Sequence, residues 1–153
     1  MRHWFRAVLF SILAIIACTL FPFNFFRGPG SPSGIADALL IAVGPDRGFD
    51  VLSNILLFLP LGFTLTGFLE HAGVGRRISA AAVLGVSFWL SYSVEVLQLF
   101  LPGRYSSQID VASNVAGGKL GFFCCVLWYR HIARPAGHVE KARRLTSSPS
   151  RFR

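Results

Sequence analysis

Four apolar runs, at residues 7–26, 51–69, 78–101 and 111–129, are separated by stretches where glycine, proline and charged residues collect. Each run is close to the ~20 residues that carry a helix across ~30 Å of hydrocarbon. The pattern predicts an all-α bundle of four membrane-spanning helices. Polar residues interrupt these runs mainly near their ends: Asp50 and Asn54 open the second, Glu95 and Gln98 lie near the close of the third, and Asp110 and Asn114 open the fourth. Consecutive spans run antiparallel, so these three ends share one membrane face, and the pattern predicts a polar site there.

Composition supports the membrane class. Of 153 residues, 53% are hydrophobic and only 14% charged. The apolar residues come in runs rather than at amphipathic spacing, unlike a soluble core. The first run follows Arg2 and Arg6 like a secretory signal, but it is long, ends in a bulky Phe/Pro/Asn stretch, and lacks a small-residue cleavage pattern. It is read as a retained helix. The expected organisation is one membrane domain, residues 1–134, with its motif core at 50–121, and a basic, disordered tail at 135–153. In the first loop, Ile35, Leu39, Ala42 and Val43 follow Ser33 at helical spacing, which predicts a short helix lying on the membrane surface.

Arginine and lysine set the orientation. Arg2 and Arg6, Arg76 and Arg77, and seven basic residues from Arg130 onward lie on one side. Only Arg27, Arg47 and Arg104 lie on the other. Both termini are therefore expected in the cytoplasm, and the polar site outside. The net charge of +8 is juxtamembrane and not interleaved with aromatics, which argues for contact with anionic membrane lipid and against nucleic acid. Cys18, Cys124 and Cys125 lie within apolar runs and suggest neither a disulfide framework nor a zinc site. No metal site is expected, and no cofactor is indicated.

Seven residues form the expected ligand-binding set: Asp50, Asn54, Glu95, Gln98, Arg104, Asp110 and Asn114. Glu95 lies within the third run, where an ionised carboxylate is costly without partners. It shares a stripe with Ser87, Ser91 and Gln98, at spacings of four, four and three, that must face the bundle. Asp110, Asn114, Gly117 and Gly121 form a matching stripe on the fourth run. There Asp110 suits an N-cap or first-turn acid, and the glycines allow close helix approach. Asp50 and Asn54 repeat the Asp-x-x-x-Asn spacing on the second run, upstream of Pro60 and Gly62, where a kink is expected. Arg104, in the outer loop, offers a partner for these acids or a bidentate grip on a phosphate or carboxylate. Lys119 lies near the middle of its run, at a cost of roughly 2.5 to 3.5 kcal/mol on insertion scales. Pairing through the bundle and snorkelling to the edge both remain open for it.

Three ordered blocks, Asp50-x-x-x-Asn54 through Phe58-Leu59-Pro60-Leu61-Gly62, then Ser93-x-Glu95-x-x-Gln98-x-Phe100, then Arg104 through Asp110-x-x-x-Asn114-x-x-Gly117-x-x-x-Gly121, resemble the VanZ-like family of small bacterial membrane proteins. The resemblance implies a multi-pass protein of the bacterial inner, cytoplasmic membrane. Through the family's namesake it also implies a link to low-level tolerance of the glycopeptide teicoplanin. Lys119 departs from the usual apolar residue of that block.

Two classes of function follow. In the first, the acids, amides and Arg104 bind a cell-wall precursor or other lipid-linked molecule of the envelope. In the second, a membrane enzyme acts on an outer-leaflet, lipid-linked substrate, with Glu95, Asp110 and Asp50 as candidate catalytic carboxylates or as ligands of a divalent cation. His3, His71, His131 and His138 fall on the side away from the acids, and no nucleophile constellation is visible. A carrier is disfavoured, because neither inverted repeats nor paired broken helices can be seen.

Overall fold

The structure, a computed structural model, describes residues 1–25, 48–98, 100–101 and 107–133. Four helices follow in order: α1 (Arg2–Leu20), α2 (Gly48–His71), α3 (Arg76–Gln98) and α4 (Gln108–Trp128). A π-helical turn, Tyr129–Ala133, extends α4. There is no strand among the described residues, and all four helices are long and apolar enough to cross a membrane. The expected surface helix after Ser33, Arg104 and the tail at 135–153 lie outside the described residues.

The helices depart from the apolar runs at their ends. Helix α1 begins at Arg2, with Phe5 N–H donating to the Met1 carbonyl at 3.1 Å, so its charged first turn is helical. It stops at Leu20, six residues before the run ends, because Phe21 precedes a proline and turns extended, with ψ 136°. Helix α2 passes through Pro60 and continues to His71. The ring removes one backbone donor without ending the helix. Downstream, the Thr64 and Thr66 hydroxyls donate to the Pro60 and Gly62 carbonyls at 2.8 and 2.7 Å.

Side-chain contacts fix the directions. Ser11 meets Thr64, with hydroxyl oxygens 3.4 Å apart, and Trp4 packs on Phe63 and Gly67, so α1 and α2 are antiparallel. Ser87 packs on Gly118 while Ser91 bonds Asn114, so α3 and α4 are antiparallel too. Ile55 lies against Gly117 and Leu59 against Gly121, making α2 and α4 parallel neighbours. Here the absence of side chains is what matters: a Cβ at Gly117 would meet the Ile55 carbonyl, and one at Gly121 the Leu59 carbonyl. Glycine lets these two backbones touch, the usual device where lipid offers no hydrophobic drive to helix pairing.

Ile15, Leu20, Phe58, Leu61, Val94 and Leu101 form the apolar core between α1, α2 and α3. Phe10, Leu13, Leu56, Trp89 and Phe123 point outward and are exposed. The interior of the α3–α4 seam is more polar than this outer surface, as expected of a bundle solvated by lipid.

Candidate functional site

The up-down-up-down course gathers the end of α1, the start of α2, the end of α3 and the start of α4 at one end of the bundle. Asp50, Asn54, Glu95, Gln98, Asp110 and Asn114 all belong to that end, but they play different parts within it.

Glu95 is 3% exposed, and its Oε2 accepts the backbone N–H of Ser107 at 2.8 Å. Ser107 is also the N-cap of α4: its hydroxyl accepts from Ile109 N–H at 3.3 Å. The carboxylate therefore clasps the entry to α4. Of the two roles open to Asp110, the structure selects first-turn acid, since the cap is Ser107. There a negative charge faces the helix's positive pole. The Asp110 carbonyl accepts the Ser113 hydroxyl at 3.0 Å.

Gln98 turns the other way. Its Nε2 donates to the Thr19 carbonyl at 3.1 Å, joining the closing turns of α3 and α1. Asn114, 2% exposed, donates from Nδ2 to Ser91 Oγ at 2.8 Å. Among the described residues, its Oδ1 has no hydrogen-bond partner, nor do the Oγ atoms of Ser79 and Ser87. Ser79, Ser87, Ser91 and Glu95 thus form one buried line along α3, interrupted by Val83. Ser79, eight residues before Ser87, extends the stripe and is readable from the same spacing.

Asp50 and Asn54 differ again. Asp50 is exposed in the first turn of α2, Asn54 is half-buried a turn later, and neither has a hydrogen bond or ion pair among the described residues. The parallel packing of α2 on α4 sets them at the level of the first two turns of α4. Acceptors engaged in holding the helices together, Glu95 above all, therefore stand beside acceptors that bond to none of the described residues.

The opposite end is built differently. His71 Nδ1 lies 2.8 Å from the Tyr129 hydroxyl, the His3 and His71 rings are 6.0 Å apart, and Trp4 sits against both, at 5.7 and 6.0 Å. Arg76 and Glu70 pair at 3.4 Å across the α2–α3 turn. This aromatic closure of α1, α2 and α4 was not anticipated as a unit. Among the described residues, no three His, Cys, Asp or Glu side chains gather as a metal-binding group. The cysteines are free thiols.

Lys119 lies on α4 but outside the seam. It is exposed, two residues beyond the buried Gly117 and so about 200° around the helix from it.

No curated protein and no solved structure matches the chain. The model of the VanZ/LLP1 family matches residues 3–129, from the first turn of α1 to the end of α4. That match takes in every helix and every candidate site residue, including Arg104 in the connection between α3 and α4. This multi-pass membrane bundle belongs to the VanZ/LLP1 family.

Proposed function

We propose that the Glu95 end of the bundle binds a lipid-linked molecule of the bacterial cell envelope, such as a cell-wall precursor, from the outer face of the cytoplasmic membrane. The observation that carries this reading is the pair Asp50 and Asn54. Both are polar, both sit at the mouth of a membrane helix, and neither makes a hydrogen bond or ion pair among the described residues. Carboxylate and amide oxygens accept hydrogen bonds from sugar hydroxyls and peptide N–H groups, which are the donors such headgroups present. The basic juxtamembrane residues support an inward position for both termini, which would turn this end outward. A change in how the precursor is displayed would account for the glycopeptide tolerance associated with the family's namesake.

Glu95 and Asn114 then act as the frame: they hold the first turn of α4, with Asp110, beside Asp50. Arg104 would add a cation for any phosphate in the ligand. The test is binding of the full chain, in detergent, to a fluorescent lipid-linked cell-wall precursor. Asp50→Asn removes a charge-assisted hydrogen bond and should weaken binding about tenfold without changing the helical content. Equal binding by Asp50→Asn, Asn54→Leu and the parent chain would eliminate the reading.

A further inference from the structure

Lys119 is the observation that the polar site does not absorb. It is at the twelfth position of the 21-residue α4, so about 16 Å of helix separates it from Gln108 and about 14 Å from Trp128. A lysine side chain reaches roughly 6 Å, and in a helix it leans toward the N-terminus. Its ammonium therefore stays well inside the hydrocarbon. It does not turn into the bundle: it is exposed, and so are its neighbours Leu120 and Phe123.

Among the described residues, none offers it a counter-charge at its own level. Gly118, one residue earlier, packs against Gly62 and Ser87, which marks the levels of α2 and α3 beside it. From that level, the helical acids Asp50, Glu70, Glu95 and Asp110 all lie eight or more residues along their helices, a rise of about 12 Å. Asp37, Asp46 and Glu140 fall outside the four helices in the sequence. A second copy, in either orientation, meets the same shortage at mid-membrane.

The surface around Lys119 has the form of a helix-docking face. Ala112, Ala116, Lys119 and Phe123 recur at spacings of four, three and four, forming one stripe opposite the half-buried Asp110 and the buried Asn114, Gly117 and Gly121. Its two alanines lie on the side toward which the lysine leans, where a neighbouring helix could come close.

We propose that this face of α4 docks a transmembrane helix of a different membrane protein, one that carries an aspartate or glutamate near the middle of its span. The carboxylate and the Lys119 ammonium neutralise each other in hydrocarbon, where each alone is costly. This inference is independent of the reading of the Glu95 end.

The test uses the full chain, acceptor-labelled, in phosphatidylcholine vesicles with a donor-labelled Leu/Ala peptide of about 22 residues. Three peptides carry Asp, Asn or Leu at the centre. Energy transfer should show the Asp peptide associating at a mole fraction about tenfold lower than the Leu peptide, with Asn between them. Lys119→Leu should erase the Asp preference and Lys119→Arg should keep it, each with unchanged helical content because the side chain is outward. Equal affinity of the parent chain for the Asp and Leu peptides would overturn the proposal. So would an Asp preference that survives in Lys119→Leu, which would assign the attraction to another residue.

Discussion

Glu95 stands in the sequence as an intramembrane acid in need of a partner, and the partner it takes is a backbone N–H. The same holds for Gln98, which donates to the Thr19 carbonyl. Every residue carries such groups, so they leave no mark in a sequence. This is why the α3 stripe was legible from its four-four-three spacing while the bonds it makes were not. Asn114 with Ser91 is a side-chain pair, and there both members lay on stripes that the spacing had marked. The backbone bond also sets a graded expectation. Glu95→Ala strands the Ser107 N–H in a buried position and should cost about 1–3 kcal/mol. Glu95→Gln keeps an acceptor oxygen there and should cost about 1 kcal/mol, the difference between a charged and a neutral hydrogen bond. Reversible unfolding in mixed micelles measures both. Equal losses would show that the carboxyl oxygen is not what holds Ser107.

Among the elements, α2 and α4 form the tightest pair. Gly117 and Gly121 of α4 meet carbonyls of α2, and Gly62 of α2 meets the backbone of Gly118 in return. Contacts with backbone cannot relax by rotating a side chain, so overpacking here should cost at least the usual 1–3 kcal/mol, roughly. Gly121→Val should therefore unfold at lower denaturant in the same micelles and show weakened α2–α4 contact. Gly85→Ala is the control: a Cβ there meets nothing within 4 Å, and stability should not fall. If the two variants proved equally stable, the close approach of α2 and α4 would be wrong. The helices themselves were legible because each apolar run is long enough to permit only one structure in lipid. Their ends were not: hydrophobicity cannot show that Arg2 and Arg6 join the helix, or that Phe21, before its proline, stops α1 short.

For the whole molecule, antiparallel succession turns a list of polar residues into one end of a bundle and leaves His3, Trp4, His71 and Tyr129 at the other. Arg2, Arg6, Arg76, Arg77 and Arg130 accompany the second group, and that asymmetry predicts the orientation. In a chain with its native cysteines replaced, a single cysteine at Gln108 should react with an impermeant thiol reagent in intact cells. One at Gly75 should react only after permeabilisation. The opposite labelling would put the Glu95 end inside and move its ligand to the cytoplasm. The buried stripe of α3 also bears on how the chain is made. Ser87 and Ser91 lie against α4 and Glu95 holds its N-cap, and α4 leaves the ribosome later. Until it emerges, α3 alone would show lipid the Ser91 hydroxyl and the Glu95 carboxylate without the partners that they take in the bundle. Its stable home in that interval is the wet interior of the insertion channel, and the third and fourth spans should enter the bilayer together as a hairpin.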